Sequence, residues 1–535
     1  MRGASWGFVG LEVDWESFER LFRAHGLPPQ IPNVAWRMSA PRYDAIVVGG
    51  GHNGLVAAAY LARAGRKTLV LERRPLLGGA AVTEEVFPGF KFSVFSYVVS
   101  LLRPEIIRDL DLPRHGLQIL PLESTVAPLD NGDYLASWSD PDETRRELCR
   151  HSPRDADAAV VFGRLMHHMA MAVKPIIGMV PPDPTSLSPG DLAGLLKLGG
   201  HFRSLGPERF HALHKLMTMS SADYLDEWFE LDALKATKSA SGIIGTFLGP
   251  RSPGSAYVLL HHYMGEIDGA FRAWGFQKGG TGAISETIAS AARAHGAELR
   301  TGAGVERVLV RGGRVTGVAL STGEEIAANL VVSGLDPRLT FTRLVDTKEL
   351  PGDLLEGIRR YKFRGSSGKV NLALSGLPNF TCMPGEGPHL RGAMSISPSI
   401  EYLERAYDDA KYGEFSRNPY MDIVIPSMID PQMAPPGKHV MSIFVQYAPY
   451  ALNGGWTDAK REAFGDAVVK TLARYAPNIE SLILHRQVLT PDDIERITGL
   501  SEGNIFQGEL ALQQLFFMRP AAGWAKFRTP IRGYY

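Results

Sequence analysis

Three glycines, Gly49, Gly51 and Gly54, have the G-x-G-x-x-G spacing of a turn that binds the diphosphate of a dinucleotide. Gly49 permits the tight turn, and Gly51 lets backbone amides approach the pyrophosphate. Gly54 lets a helix pack closely against a strand. Glu72 follows 18 residues after Gly54, where a carboxylate can accept both hydroxyls of an adenosine ribose. An acid there argues against a 2′-phosphate, so these residues predict a site for a dinucleotide that lacks one.

The elements around this turn support the same interpretation. Composition predicts a strand over Asp44–Val48, a helix over Asn53–Ala64 that Gly65 ends, and a strand over Thr68–Glu72. This βαβ unit is the context in which the glycine spacing indicates a nucleotide site rather than a plain turn. We therefore predict an α/β, Rossmann-like domain whose first helix directs its partial positive charge at the phosphates.

Three neighbours of these residues are further candidates for cofactor contact, namely His52, Asn53 and Arg73. His52 sits in the turn, close to where the pyrophosphate must lie. A hydrogen-bonding role is therefore more natural for it than direct catalysis, because the turn is normally remote from the reactive part of a dinucleotide.

Composition excludes several other classes of function. Lys plus Arg and Asp plus Glu both number 57, so no overall field favours nucleic acid. Cys149 and Cys382 are the two cysteines and form no C-x-x-C motif, which fits a reducing compartment and argues against dithiol chemistry. No apolar run reaches the roughly 20 residues of a membrane helix.

The segment from 297 to 338 alternates like a set of strands around a Gly312–Gly313 hairpin turn. Strands are predicted over Leu299–Thr301, Val305–Arg311, Arg314–Leu320 and Leu330–Ser333. Before it, "GGTGAIS" precedes a helix over Ala283–His295 but lacks a preceding strand and the third glycine. We therefore expect no second, nicotinamide-binding module.

The rest of the chain mixes sheet strands with covering helices. "LQILPLESTVAPLDNGDYLASW" predicts a hairpin that turns at Asp130–Asn131–Gly132, and "KVNLALSG" and "HVMSIFVQYAPY" predict strands. Ser220 and Ser221 can cap a helix over "ADYLDEWFELDALKA", and Thr490 begins another over "LTPDDIERITG".

Gly78 and Gly79 follow Glu72 closely, a pattern that resembles FAD enzymes of the amine oxidase and phytoene desaturase superfamily. From Tyr43 onward, the chain resembles the pyridine nucleotide-disulfide oxidoreductase domain-containing protein 2 family within it. The motifs that carry this resemblance are "YDAIVVGGGHNGLVAAAYLARAG", "WGFQKGGTGAISETIA" and "GLSEGNIFQGELALQQLFFMRP".

The resemblance implies that FAD is the cofactor, with the backbone of Gly78 and Gly79 near its phosphates and ribityl chain and the backbone of Val305 at its adenine. It also implies a Rossmann-like FAD-binding domain into which a two-segment α+β substrate domain is inserted. The expected division is FAD-binding segments at 41–109, 271–345 and 501–535, and substrate-domain segments at 110–270 and 346–500.

Both ends of the chain depart from that pattern. We interpret residues 1–40 as an N-terminal extension, either a short amphipathic helix or, as we favour, a stretch before a true start at Met38. The family's FAD domain is completed by a closing strand, a glycine-rich turn and a helix, whereas this chain stops at "FRTPIRGYY". We therefore expect the closing strand and helix to be missing, leaving an unpaired sheet position and an uncovered apolar face.

Three functions are compatible with these features. The leading hypothesis is an FAD-dependent oxidoreductase of the desaturase or dehydrogenase type, acting on an apolar small molecule, with oxygen or a quinone as electron acceptor. The second is a redox-neutral polyene isomerase. The third is a non-enzymatic, flavoprotein-like interaction module, because the resemblance extends to animal proteins associated with mitochondrial regulation and inner-membrane partners.

Other candidate groups are weaker. His262 and Glu266 are four residues apart, but two ligands do not make a metal site, and we expect none. No catalytic residue can be assigned from the spacing. The helical methionines, among them Met166 and Met169, favour core packing over a lipid tunnel or peripheral membrane contact. Composition indicates the bacterial cytoplasm or the inner face of its membrane, and for an animal source the resemblance implies the mitochondrial matrix.

Overall fold

The computed structural model describes residues 43–267, 269–271 and 273–535. The predicted N-terminal extension and its alternative start at Met38 lie outside these residues. Among them, no helix is both long enough and apolar enough to cross a bilayer.

Strands and helices alternate along most of the chain. The strands are β1 Tyr43–Val48, β2 Thr68–Leu71, β3 Thr83–Phe87, β4 Phe90–Ser93, β5 Ile119–Pro121, β6 Ser124–Pro128, β7 Tyr134–Trp138, β8 Glu266–Ile267, β9 Ala270–Phe271, β10 Gly275–Gln277, β11 Glu298–Arg300, β12 Val305–Arg311, β13 Arg314–Leu320, β14 Glu325–Ser333, β15 Ser367–Leu374, β16 Ala393–Ile396, β17 Tyr420–Val424, β18 His439–Gln446 and β19 Ile483–Leu489. The helices are α1 His52–Arg63, α2 Pro104–Asp109, α3 Pro141–His151, α4 Pro153–Gly178, α5 Pro189–Ser204, α6 Gly206–Thr218, α7 Ser221–Asp226, α8 Asp232–Ala240, α9 Ser255–Tyr263, α10 Thr281–Ala294, α11 Pro337–Thr342, α12 Gly352–Arg360, α13 Ile400–Lys411, α14 Asp458–Ala473, α15 Ile479–Leu482 and α16 Pro491–Thr498.

A six-stranded sheet contains the glycine turn and has the order β11-β2-β1-β14-β13-β12. Its first four strands are parallel, and Val47 of β1 pairs with Val70 on one side and Val332 on the other. The apolar run of β1 suits this central position because both faces of the strand are covered. The predicted strands of this region and the first helix are confirmed to within a few residues at their ends.

A seven-stranded sheet forms a second layer, in the order β19-β15-β18-β17-β16-β6-β7. The predicted hairpin at 130–132 joins β6 to β7, and the two predicted strands are β15 and β18. One face of this sheet is apolar and packs against α14, with Val370, Ile443 and Ile423 in one row. Because neighbouring residues of a strand point to opposite faces, the residues between them form the other face.

Helices α3 to α9 surround a separate apolar core. Phe162, Met166 and Met169 of α4 are fully buried in it, and Met217 and Met219 pack against its edge. These methionines fill the core, as we favoured, whereas Met171 is exposed.

The helix predicted over 222–236 is correct in its cap and wrong in its length. Ser220 caps α7 by accepting a hydrogen bond from the Asp223 amide, but the chain breaks before α8. The carboxylate of the buried Asp155 accepts hydrogen bonds from the Glu230 and Leu231 amides at 3.0 and 2.8 Å. This side chain replaces the carbonyl partners that a continuous helix would supply, so the break is stable.

A short strand, β10, precedes α10, contrary to the expectation for "GGTGAIS". It pairs antiparallel with β5 in a separate two-stranded sheet and not with the parallel strands around the glycine turn. The βαβ unit that a dinucleotide site requires is therefore not formed at this second glycine segment.

The last residues of the chain occupy a position beside β14, and the expectation of an unpaired position there is wrong. Val331 donates to the Gly533 carbonyl at 2.8 Å, and Tyr535 donates to the Val331 carbonyl at 3.0 Å. Ile531 and Tyr534 are buried against the same sheet. Backbone pairing and apolar burial thus both hold this segment in place.

Candidate functional site

The glycine turn between β1 and α1 has the geometry that its spacing predicts. Gly49 has φ +97°, a region that favours glycine. A Cβ atom added to Gly54 would clash with the carbonyl oxygen of Gly49, so only glycine lets α1 approach the turn this closely. The amide of Gly78 donates to the Gly50 carbonyl at 2.8 Å, and Gly79 lies against Gly51. The two glycine segments therefore pack against each other through backbone, and we call them together the glycine surface.

The first turn of α1 offers its amide groups to a ligand. Gly51 is the N-cap, and within the described residues no side chain caps this helix or places an acid in its first turn. His52 and Asn53 occupy that turn and are exposed. Packing around the ring desolvates His52 and lowers its pKa, while the residue keeps solvent access. A helix start of this kind binds phosphate.

The start of α10 provides the contrast. The amides of Thr281 and Gly282 donate to the hydroxyls of Ser93 and Thr83, both at 3.0 Å. The Gly279 amide donates to Asp430 at 2.8 Å. Because protein groups already accept these hydrogen bonds, this helix start is not available to a second dinucleotide.

Glu72 directly follows β2 and is 7% exposed. Its carboxylate accepts hydrogen bonds from the amides of Gly50 and Arg74, each at 2.8 Å, one on each oxygen. These bonds fix the carboxylate beside the glycine turn and leave lone pairs on both oxygens for further donors. A ribose supplies two such donors in adjacent hydroxyls. Gly50, the middle glycine of "GGG", carries one of these amides and is not among the residues predicted from the sequence.

The side chains of Arg73 and Arg74 contact different parts of the structure. Arg74 is the residue that faces the glycine surface, because its guanidinium donates to the Gly79 carbonyl at 3.2 Å and pairs with Glu84 at 2.8 Å. Arg73 instead donates to the Ile497 carbonyl at the C-terminus of α16, at 2.8 Å. Its side chain therefore holds α16 and is directed away from the glycine turn.

Val305 begins β12, and the residues before it lie against the acid. The Ala303 amide donates to the backbone carbonyl of Glu72 at 2.8 Å, and Gly304 is close enough to Arg73 that a Cβ atom would lie 3.4 Å from the arginine Cβ. We call Glu72, the glycine surface and the start of α1 together the cradle. The structure thus brings Val305 to the Glu72 end of the cradle. The assignment of these residues to cofactor contact stays a prediction.

The second part of the site is the polar face of the seven-stranded sheet. Lys369, Phe444, Asp422 and Ser395 are direct cross-strand partners on four adjacent strands, so they share one face. Further polar residues flank this row at alternate positions, namely Ser367, Asn371, Tyr420, Ser442 and Gln446. We call these nine residues the polar sheet face. Buried polar groups are costly unless they are hydrogen-bonded, so this face is a candidate for a chemical role.

Lys369 is the central group of this face and is 2% exposed. Its Nζ donates to the carbonyls of Ser93 and Phe95 at 3.2 and 3.3 Å and lies 5.2 Å from the ring centre of Tyr97. Desolvation lowers the pKa of Lys369 to about 7. The amine is therefore near half-protonation at neutral pH, as suits a group that accepts a proton.

Tyr97 and Asp422 form a coupled pair above the same row. The Tyr97 hydroxyl donates to the Asp422 carboxylate at 2.6 Å, and its ring stacks on Phe444. Desolvation raises the pKa of Asp422 to about 6, and the hydrogen bond from Tyr97 opposes that rise. Burial raises the pKa of Tyr97 well above 10, so it remains a donor.

The segment from Ser93 to Tyr97 joins the glycine surface to the polar sheet face. On one side, the Ser96 and Val94 amides donate to the carbonyls of Ala80 and Val82 at 3.3 and 3.2 Å. On the other side, the carbonyls of Ser93 and Phe95 accept the Lys369 amine. Gly79 is thus linked to Lys369 through one short segment of backbone.

The possible metal pair is engaged in other interactions. His262 contacts the Val258 carbonyl through Nδ1 at 2.9 Å, and Glu266 accepts Lys174 at 2.6 Å. Across the described residues, no group of three or more potential ligands is arranged around one point.

Comparisons with known proteins agree with this geometry. Residues 54–496 match the family model described as flavin containing amine oxidoreductase. The chain is 41% identical to pyridine nucleotide-disulfide oxidoreductase domain-containing protein 2 of Rattus norvegicus, over 92% of this chain and 89% of the rat protein. It is 26% identical to a limonene dehydrogenase polypeptide of Castellaniella defragrans, over 92% and 90%. The solved structure of an oxidoreductase from Methanosarcina mazei shares the fold with a TM-score of 0.55 and 17% identity, over 92% of this chain and 93% of that one.

The cradle fits FAD, the cofactor of this family. Glu72 supplies acceptors for a ribose, the α1 start supplies donors for a diphosphate, and close backbone packing at Gly54 holds that helix start against the turn. The chain therefore belongs to the flavin containing amine oxidoreductase family, and within it to the pyridine nucleotide-disulfide oxidoreductase domain-containing protein 2 family, and it is an FAD-dependent oxidoreductase.

Proposed function

We propose that this protein is a dehydrogenase or desaturase of an apolar small molecule, with the polar sheet face as the floor of its active site. The observation that carries the proposal is the row of Lys369, Phe444, Asp422 and Ser395 on a sheet face that the Ser93–Tyr97 segment connects to the glycine surface. Aromatic rings of Tyr97 and Phe444 frame this row and suit an apolar substrate.

Bound FAD would supply the electron-accepting chemistry, and the glycine surface with Glu72 would hold it. Lys369 would accept the proton that leaves the substrate. In its neutral form the amine has two N–H donors, which match the two carbonyls of Ser93 and Phe95, and one lone pair that stays available. Those carbonyls therefore orient the lone pair without consuming it.

Tyr97 would position this amine, because its ring lies beside Nζ and its hydroxyl is anchored on Asp422. The relative from Castellaniella defragrans is named as part of a limonene dehydrogenase, and limonene is an apolar hydrocarbon. That name supports the substrate class, and the particular substrate and the electron acceptor are left to experiment.

The experiment is anaerobic stopped-flow reduction of the FAD-loaded protein by a panel of apolar substrates, with monoterpenes first. We expect flavin bleaching whose rate rises with pH around an apparent pKa near 7. Lys369→Met should slow the bleaching by about a hundredfold or more, the usual range for removing a general base. Lys348→Met, at an exposed lysine, is the matched control and should leave the rate unchanged.

Two results would overturn the proposal. Product formation without an electron acceptor, by a catalytic amount of reduced flavin, would indicate a redox-neutral isomerase. A Lys369→Met protein that bleaches as fast as the unmodified protein would remove the polar sheet face from the mechanism.

A further inference from the structure

The helical layer formed by α4, α5 and α6 exposes an unusual number of large apolar side chains. Nine of the sixteen exposed large hydrophobic residues in the described chain lie between 160 and 210. They are Val160, Val161, Met171, Ile177, Val180, Leu187, Leu192, Leu196 and Phe210. Exposed apolar side chains concentrated in one part of a fold indicate an interaction site.

The α5 helix and the loop before it carry the most exposed of these residues. Leu196 is 77% exposed and Leu192 lies one turn before it on the same face, while Leu187 in the preceding loop is 86% exposed. On the opposite face, Asp191 pairs with Lys526 at 2.5 Å and His201 contacts the Ala172 carbonyl at 2.8 Å. The leucines are thus held toward solvent because polar contacts anchor the other face.

This surface is basic in a chain whose overall charge is zero. From α4 to the end of α6, residues 153–218, the chain has seven Lys and Arg residues and five Asp and Glu residues, of which Asp155 and Asp191 are buried. In the described residues, Lys197, Arg203 and Arg209 make no ion pair and are exposed. Exposed leucines with unpaired cations beside them complement the apolar interior and the negative charge of an anionic membrane surface.

The same charge argues against self-association as the occupant. A two-fold symmetric contact would place this basic surface against its own copy and bring like charges together across the interface. An anionic lipid surface instead complements both the charge and the apolar side chains.

We propose that the outer face of α4, α5 and α6 binds an anionic lipid bilayer peripherally. Leu187, Leu192 and Leu196 enter the head-group region, and Lys197, Arg203 and Arg209 contact lipid phosphates. The proposal is independent of the reaction that the enzyme catalyses, and it gives the peripheral membrane contact considered above a defined surface.

The test is flotation of the FAD-loaded protein with vesicles of phosphatidylcholine, with and without phosphatidylglycerol. We expect binding to the mixed vesicles that weakens in high salt. Leu187→Ser/Leu196→Ser should reduce the partition coefficient by about tenfold or more, and Lys197→Gln/Arg203→Gln by about fivefold for each charge removed.

Tyr412→Ser/Leu484→Ser is the matched control, because these two side chains are 75% and 44% exposed and lie outside α4, α5 and α6. This variant should bind vesicles like the unmodified protein, and thermal unfolding should show all variants folded. Flotation that Leu187→Ser/Leu196→Ser leaves unchanged would overturn the proposal. A sedimentation-velocity dimer that this variant converts to monomer would do the same, since a second copy would then be the occupant.

Discussion

At the scale of single residues, the site contains two kinds of group. Glu72 and the glycines are fixed by short hydrogen bonds and tight backbone approach, so their role is to hold a ligand in place. Lys369 and Asp422 have pKa values shifted toward neutrality by burial, so their protonation states can change near physiological pH. The first kind is typical of binding and the second of catalysis.

Lys369 should make stability depend on pH. Its pKa is about 7 in the folded protein and 10.5 in the unfolded chain, so the unfolded state binds more protons between these values. The free energy of unfolding should therefore rise from pH 7 toward pH 10, by up to about 1.4 kcal/mol per pH unit. Urea denaturation of Lys369→Met at pH 7 and 9 should lack this rise, whereas Lys348→Met should keep it. A rise that persists in Lys369→Met would show that another group titrates.

Tyr97 should stabilise the protein most when Asp422 is ionised. Because its hydroxyl donates to the carboxylate, Tyr97→Phe removes a charge-assisted hydrogen bond worth about 1.5–3 kcal/mol above the Asp422 pKa of about 6. The loss should shrink as the pH falls below that value. A double-mutant cycle with Asp422→Asn, measured by urea denaturation at pH 5 and 8, isolates the pair. Equal coupling energies at both pH values would contradict this assignment.

At the scale of elements, helix starts distinguish the two glycine segments of the chain. Both α1 and α10 begin at glycine-rich turns, but Thr83 and Ser93 satisfy the start of α10. The start of α1 has no side-chain cap on its amides and packs against Gly49 through Gly54. Sequence motifs of similar composition therefore have different functions because of what folds over them.

Gly54→Ala should disrupt the cradle. The added Cβ would collide with the Gly49 carbonyl, which belongs to backbone that cannot move without displacing the turn. We expect a lower melting temperature and loss of flavin absorbance in the purified protein. Gly163→Ala in α4 is the control, because its Cβ would enter open space and a helical alanine is favoured by about 1 kcal/mol. A Gly54→Ala protein that retains FAD would contradict the proposed packing.

At the scale of the whole molecule, cofactor holding and proton transfer are assigned to different layers. The six-stranded sheet carries the cradle and the seven-stranded sheet carries Lys369, and the Ser93–Tyr97 segment lies between them. Arg73 adds a second link by binding the end of α16. This division predicts that the two functions can be separated by mutation.

Saturating FAD should raise the free energy of unfolding of the apoprotein by about 2.7 kcal/mol at a concentration one hundred times its Kd. The Lys369→Met protein should show the same gain, since the cradle is unchanged, and the Gly54→Ala protein should show none. Thermal unfolding with and without FAD measures both. A gain that disappears in Lys369→Met would place that lysine in the binding machinery.

Local sequence determined the nucleotide-binding unit. The glycine spacing, the apolar β1 strand and the acid after β2 act within one short βαβ unit, so their chemistry could be predicted without distant contacts. Hairpin and helix-cap residues such as Asn131, Gly132 and Thr490 likewise specified local geometry correctly.

Tertiary structure alone determined the polar sheet face, and it alone determined where the chain departs from its local sequence preferences. Lys369, Phe444, Asp422 and Ser395 come from four strands, and only sheet register makes them neighbours. The alternation of "KVN" in β15 hinted at a polar face but not at its partners. Asp155 stabilises the break between α7 and α8 by accepting a hydrogen bond from the Glu230 amide, 75 residues along the chain. The buried position of Lys369 lowers its pKa. Cross-strand pairing and desolvation depend on the whole fold, which is why no local pattern revealed them.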